Sequence, residues 1–455
     1  MTDLRRMESR LQCPAARRLK SAAVHSWSLG ALALALGSVV FISQVGCTRP
    51  PAHAPVTLTL VEQSPGLDEA LLASRHREFE DFHRETGVLV QTLPTPESAD
   101  DQLLFWERLL ESHASTPDVY SIDCIWPGIL AEHLIDLAPF LGPQLHQLVP
   151  ALVSNYTVNH AVVAVPSRTS AGLLFYRKDL LKKYGYRAPP ATWDELERMA
   201  ARIQAAERAQ GNRDFWGYVW QGGGGEPLLC NALEWQASEG GGMIIEGDGS
   251  VSVNNPSAIA AWERAARWVG TISPPAVTQY LEWDAANVWE SGNAAFMRNW
   301  PSNYLSSSRE GSDVRGRFDV TLLPAGRAGH WGTVGGSSYA VSRYSAHQQQ
   351  SIALVGYLTR RDVQKNRAYL NDGFPIYPEL DQDPVVLAAS PYLKQLTGNE
   401  HFAVRPAAVC GKDYQEVSRT YAEAVHAVLT HAKTAPAAAR ELEGALVRIT
   451  GRWLR

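Results

Sequence analysis

Two apolar runs that alternate with the period of a strand, separated by one amphipathic stretch, constrain this chain more than any other feature. Residues 56–61 read Val-Thr-Leu-Thr-Leu-Val, and residues 88–93 read Val-Leu-Val-Gln-Thr-Leu; both have strand periodicity. Between them, residues 68–85 place Leu72, Phe79 and Phe82 on one helical face, and Gly87 marks the stop. A strand, helix and strand this close together are joined by a right-handed parallel crossover. The first lobe is therefore expected to be α/β. Its 455 residues exceed the length, roughly 250–300, at which single cores stop growing, so at least two lobes are expected.

A helix over 100–113 leads into a short apolar strand, 119–122, which breaks at Trp126, Pro127 and Gly128. Asp123 then sits just past the carboxyl end of a strand, where open α/β sheets bind ligands. A carboxylate beside the flat indole of Trp126 suits a sugar, which needs charged acceptors for its hydroxyls and an apolar plane for its ring. Read as packing, Asp123 caps a turn and Trp126 fills a core. Residues 161–165 form a buried strand, 166–170 interrupt it with polar residues, and 171–176 resume it, the pattern of a crossover between lobes. Thr192 to Glu195 is a capping box. Residues 221–226 are Gly-rich but lack the Gly-Lys-Ser/Thr ending of a phosphate loop, so they read as a loop leading to a helix over 231–238. A hairpin over 243–253, a helix capped by Asn255 and a helix over 284–290 follow. The strand near 293–300 then presents Trp300 on a turn braced by Pro301, matching the arrangement at Trp126. Residues 318–323 and 335–341 read as the return to the first lobe. Gly335 and Gly336 allow close backbone approach, to a ligand or to another strand. Residues 351–369 read as helix, 371–375 break it, and the remainder reads as largely helical.

Arg5, Arg6, Arg10, Arg17, Arg18 and Lys20 precede an uncharged run over about 27–46, the layout of an export signal. Gln-Val-Gly-Cys at 44–47 resembles the lipobox of bacterial lipoproteins, which makes Cys47 the candidate lipid anchor. Uncleaved, the same run is close to the roughly 20 residues that span a bilayer. Either way the remainder lies outside the cytoplasm, in a periplasmic or comparable compartment, and residues 48–55 are its tether. Five cysteines at wide spacing give no disulfide framework and no metal motif, so Cys124, Cys230 and Cys410 are expected as buried thiols. A net charge of −5 offers no basic field for nucleic acid. Fourteen Trp and sixteen Tyr against eleven Phe tilt the aromatics toward those with a polar handle, which suits a carbohydrate-facing surface and equally suits packing. Neither a GxSxG elbow nor an HExxH helix occurs.

Residues 118–128 (Asp-Val-Tyr-Ser-Ile-Asp-Cys-Ile-Trp-Pro-Gly), 171–181 (Ala-Gly-Leu-Leu-Phe-Tyr-Arg-Lys-Asp-Leu-Leu), the Thr-Trp-Asp-Glu box, 294–301 (Ala-Ala-Phe-Met-Arg-Asn-Trp-Pro) and 323–326 (Leu-Pro-Ala-Gly) together resemble extracellular solute-binding proteins of ABC sugar importers, family 1, in the branch with trehalose/maltose-binding proteins. The resemblance covers residues 56 to about 446. It implies an α/β, two-lobed periplasmic-binding-protein fold, type II-like, with interlobe crossovers and a ligand cleft. The lobes would comprise 56–167 with 319–372, and 168–318 with 373–455. It implies a monomer that captures a sugar or oligosaccharide by hinge closure and hands it to permease subunits, with no cofactor, no metal and no chemistry on the ligand. The alternatives are a sugar-sensing module of a signalling system and a carbohydrate-active hydrolase. Asp123 stands where the family has a sugar-binding aspartate, Trp300 where it has a stacking tryptophan, and Gly336 where the backbone nears the ligand. Trp126 and Glu226 are further candidates. Arg168, Ser170, Ser337 and Tyr377 occupy ligand-facing positions with residues unlike the family's, and Ser302 replaces a tyrosine. Smaller side chains at 302 and 337 would widen the pocket, and Arg168 would favour an acidic sugar.

Overall fold

The computed structural model describes residues 55–62, 69–96, 98–395 and 400–451, all within the unit that runs from Ala54 onward. The export segment and Cys47 lie outside the described residues.

The opening crossover forms as its periodicity dictates. β1 (Thr57–Val61) and β2 (Leu89–Leu93) pair in parallel, joined by the helix Glu69–Thr86. β3 (Val119–Asp123) adds in parallel to the other side of β1. A small hairpin, β4 (Thr157–Val158) with β5 (Ala161–Val162), precedes the long β6 (Val165–Ala171). The polar residues 166–170 therefore belong to a strand and do not interrupt one. Pro166 lies opposite Ser338 where the register shifts, and a bulge tolerates a residue that has no N–H to give the ladder.

After the single residue Gly172 the chain enters a second sheet, made of β7 (Leu173–Arg177), β8 (Trp216–Val219), β9 (Ala294–Asn299) and β10 (Phe318–Leu322) in the order β10-β7-β9-β8. β10 pairs antiparallel with β7, so the return to the first sheet falls at β11 (His330–Val341) and not at Phe318. An apolar run carries no mark of the sheet it will join. β11 pairs antiparallel with both β3 and β6, giving the first sheet the order β12-β11-β3-β1-β2 with β6 also on β11. β12 (Glu400–Ala403) is parallel to β11 within a region expected to be helical. Four residues are too few for alternation to show.

Caps read from the sequence set several helix starts. Thr192 accepts the Glu195 N–H at 3.3 Å, while the Glu195 carboxylate reaches the N–H of Ala191 instead of Thr192. Asn255 accepts the Ala258 N–H at 3.0 Å and opens the helix Pro256–Trp268. The helix after the Gly-rich loop begins at Glu226 and is buried along nearly its whole length to Ser238. It packs against the helices Pro256–Trp268 and Tyr414–Leu429, where the Tyr421 hydroxyl donates to Gln236 Oε1 at 2.9 Å and Trp262 is edge-on to Tyr421 at 5.9 Å; the helix Ala435–Thr450 lies against those two. Trp106, Trp126, Trp193, Trp220, Trp235, Trp262, Trp268 and Trp289 are all 2 % exposed or less. Each such ring removes about 150–250 Å² from water, so the aromatic tilt of the composition goes mostly into packing.

Candidate functional site

Three strands of the first sheet set a polar row. Asp123 on β3 lies opposite Ser337 on β11, which lies opposite Arg168 on β6. Residues in register on neighbouring strands share a face. Asp123 Oδ1 accepts the Ile125 N–H at 3.2 Å and the Cys124 thiol at 3.3 Å, which turns the chain out of the sheet at its carboxyl edge. Arg168 Nε donates to Ser337 Oγ at 3.0 Å, and its Nη1 donates to Asp372 Oδ1 at 2.8 Å. Asp372 thus pairs with Arg168, whose side chain remains 38% exposed, so Arg168 is not an unpaired cation for an acidic sugar.

The second sheet brings Trp300 to the same edge. β9 ends at Asn299 opposite Leu173, so Trp300 emerges beside the Gly172 crossover. Its indole lies on the Arg298 guanidinium, 4.2 Å from centroid to Cζ, and Nε1 donates to Glu282 Oε1 at 3.3 Å. The far edge of the ring meets β11 of the first sheet. A Cβ at Gly335 would sit 3.0 Å from Trp300 Cζ3 and 2.8 Å from Ser170 Oγ, so Trp300 and Ser170 border the same bare backbone. Gly336 does a different job. Its φ is 144°, a Cβ there would lie 2.5 Å from the Arg168 carbonyl oxygen, and its own carbonyl accepts the Cys124 N–H at 3.1 Å. Of the two readings of the Gly pair, Gly336 therefore takes the strand approach and Gly335 leaves room for the indole. Ser302 is exposed beyond the Pro301 turn.

Beneath the row lies a residue that the sequence did not single out. Arg405 is 6 % exposed; its Nη2 donates to Asp123 Oδ1 at 3.2 Å and its Nη1 to Glu226 Oε2 at 2.8 Å. Nη2 also points at Cys124 Sγ, 3.1 Å away, and at the Val334 carbonyl, 3.3 Å away. Glu226 is in turn held by the Tyr414 hydroxyl at 2.9 Å and by the Ser418 hydroxyl. Burial pushes the Cys124 thiol well above its ordinary range, and the Asp123 carboxylate adds to it, so this sulfur stays protonated. Above Glu226, the start of its helix faces Asp100: a Cβ at Gly225 would lie 2.4 Å from Asp100 Oδ2, and Gly225 has φ 97°. Desolvation first, then the nearby Glu226 carboxylate, push the Asp100 carboxyl up to about 6.

Asp123, Arg168, Ser170, Ser337 and Trp300 are thus brought to one junction between the sheets. Three other candidates are not. Trp126 is a core residue, with its ring 5.5 Å from that of Trp106. Tyr377 is 1 % exposed in the core under the first sheet and donates its hydroxyl to the Thr359 carbonyl at 2.9 Å. The turn at Phe374 and Pro375 aims it inward. Glu226 is 5 % exposed and spends its oxygens on Arg405, Tyr414 and Ser418. Cys124, Cys230 and Cys410 are buried and outside any disulfide, as expected. Among the described residues no group of three or more His, Cys, Asp or Glu could hold a metal, and no helix is long and apolar enough to cross a membrane.

The sequence profile of the bacterial extracellular solute-binding proteins matches residues 74–365, and the chain belongs to that family. It is similar to a probable ABC transporter-binding protein of Deinococcus radiodurans, 43% identical over 406 residues, covering 88% of this chain and 95% of the relative. Among solved structures it is similar to maltose-bound MalE3 of T. maritima, at 32% identity and a TM-score of 0.80 over 87% of this chain and 100% of that one. A solute-binding protein of Thermotoga lettingae holding α-D-tagatose has the same fold at 22% identity and a TM-score of 0.77, over 87% of this chain and 100% of that one. The fold is accordingly the two-lobed one of the periplasmic sugar-binding proteins.

Proposed function

We propose that this chain is the substrate-binding component of an ABC importer that closes its lobes on an uncharged sugar, oligosaccharide or polyol and releases it unchanged to a permease. The observation that carries this reading is the meeting at Gly335. There an indole from the second sheet lies beside the Asp123–Ser337–Arg168 row of the first. A sugar between these surfaces would gain an apolar plane for its ring and a carboxylate for its hydroxyls. Both charges of the row itself have partners: Asp123 with Arg405, Arg168 with Asp372. Such a site favours a neutral ligand, because a charged one would bring an unpaired ion into it. The maltose held by the T. maritima protein, at 32% identity, supports the same class. Hydrolysis would need two carboxyl groups facing across the ligand; Glu226 is consumed in the network under Arg405.

We further propose that the folded unit is held outside the cytoplasm through a lipid on Cys47 and acts as a monomer. Titration calorimetry of the purified chain against maltose, trehalose, ribitol and a uronic-acid oligosaccharide tests the ligand class. Saturable heat is expected with a neutral compound and not with the uronic acid. Trp300→Ala should weaken that binding roughly tenfold or more, as removal of about 1.5 kcal/mol of contact would. Binding of the uronic acid alone, or affinity indifferent to Trp300, would refute the assignment.

A further inference from the structure

The indole that forms the ligand plane does not rest on ordinary packing. Under it lies Arg298, whose Nε donates to Glu234 Oε2 at 3.0 Å and whose Nη2 donates to Glu234 Oε1 at 2.5 Å; both side chains are 0 % exposed. The guanidinium is fixed on its other side by Gln221, whose Oε1 accepts from Nη1 at 3.2 Å and whose Nε2 donates to the Arg298 carbonyl at 2.9 Å.

The same carboxylate touches both strands that pass between the sheets. Glu234 Oε1 accepts the Thr333 N–H of β11 at 3.0 Å, and Thr333 Oγ1 donates to the Cys230 carbonyl at 2.9 Å. Gly172, the single residue joining β6 to β7, lies directly over the pair. A Cβ there would be 2.0 Å from Glu234 Oε1 and 2.7 Å from Arg298 Nη2. Gly172 also donates its N–H to the Thr333 carbonyl at 3.3 Å. Two crossing strands, one buried ion pair and one indole are therefore in continuous contact.

We propose that Glu234 and Arg298 are positioning residues that couple the crossover at Gly172 and Thr333 to the tilt of Trp300, so that hinge motion and orientation of the ligand plane are one event. A bidentate pair fixes the relative geometry of donor and acceptor, and the planar guanidinium passes its orientation to the ring stacked on it. When the strands turn about Gly172, the carboxylate that holds the Thr333 N–H moves with them, and Arg298 and Trp300 follow. The inference rests on the ligand-facing role of Trp300 for its functional consequence, while the coupling itself is a property of the ligand-free chain.

Fluorine NMR of the full chain labelled with 5-fluorotryptophan, without ligand, tests it. The Trp300 resonance is assigned as the one lost in Trp300→Phe. Gly172→Ala, whose methyl meets Glu234 and Arg298 first, is expected to shift that resonance in the wild-type background. In the background Glu234→Leu with Arg298→Met, which replaces the pair by apolar groups of similar size, the shift is expected to vanish. An equal shift in both backgrounds, or no shift in the wild type, overturns the proposal. Should the apolar pair fail to fold, Arg298→Lys serves: it keeps the charge and loses the planar fork, so the Gly172→Ala shift should shrink, and an undiminished shift overturns the proposal. Because no ligand is present, a failed sugar titration leaves this result standing, and a failed coupling leaves the sugar assignment standing.

Discussion

Arg405 carries two roles that are separable by substitution. It sits 282 positions from Asp123 in sequence and 179 from Glu226, yet its two terminal nitrogens hold both carboxylates. Arg405→Met leaves Glu226 buried among Tyr414 and Ser418 with no cation. Losing one partner of a buried pair costs about 3–5 kcal/mol, and urea unfolding of the variant should show a loss of that order. Adding Glu226→Gln should recover part of it, because the stranded charge is then gone; a loss that the second substitution does not reduce would place the cost in packing alone. The positions of Asp123 and Trp300 at the ends of strands were legible because each follows an apolar run and precedes a break, a local signal. Arg405 was not, since the residues around it form no period and its meaning comes from partners that only the fold brings near. Trp126 shows the converse: its local setting copied that of Trp300, and burial against Trp106 decided otherwise.

At the scale of elements, parallel pairing of β1 and β2 followed from periodicity, and so did the capped starts at Thr192 and Asn255. Sheet membership of β10 and β12 did not, because it depends on which strand edge is vacant when the chain arrives. The helix Glu226–Ser238 adds a contact that no pattern announces, its first turn set against Asp100 on the helix Ala99–Glu111. The Asp100 carboxyl is raised to about 6 in the folded chain, from an ordinary carboxylate value near 3.8. Between those values the folded state binds more protons than the unfolded one, so stability from this group is fullest below the lower value and declines as pH rises toward the upper. Thermal unfolding at a series of pH values should therefore show a decline across about pH 4 to 6 that Asp100→Asn flattens. An identical profile in the variant would assign the decline to other carboxylates.

Among the described residues the two larger sheets are joined where strands pass side by side, and the motion proposed above would be a hinge at that seam. Gly332 on β11 lies against the other crossing strand: a Cβ there would be 2.9 Å from the Gly172 carbonyl oxygen and 3.3 Å from Ala171 Cβ. Backbone cannot step aside as a side chain can, so Gly332→Ala must spread the two strands. Overpacking of this kind costs about 1–3 kcal/mol. Carried by the closed form, that cost weakens apparent ligand affinity roughly 5- to 150-fold, since only the competent population binds tightly. Small-angle scattering with a saturating neutral sugar should show the wild-type chain contracting and the Gly332→Ala chain contracting less at equal ligand concentration. If the variant contracts fully and binds as tightly as the wild type, the seam at Gly172 and Gly332 is not where the lobes turn, and the motion must be sought at the C-terminal passage through Arg405, where the chain leaves β12 for the helix Tyr414–Leu429.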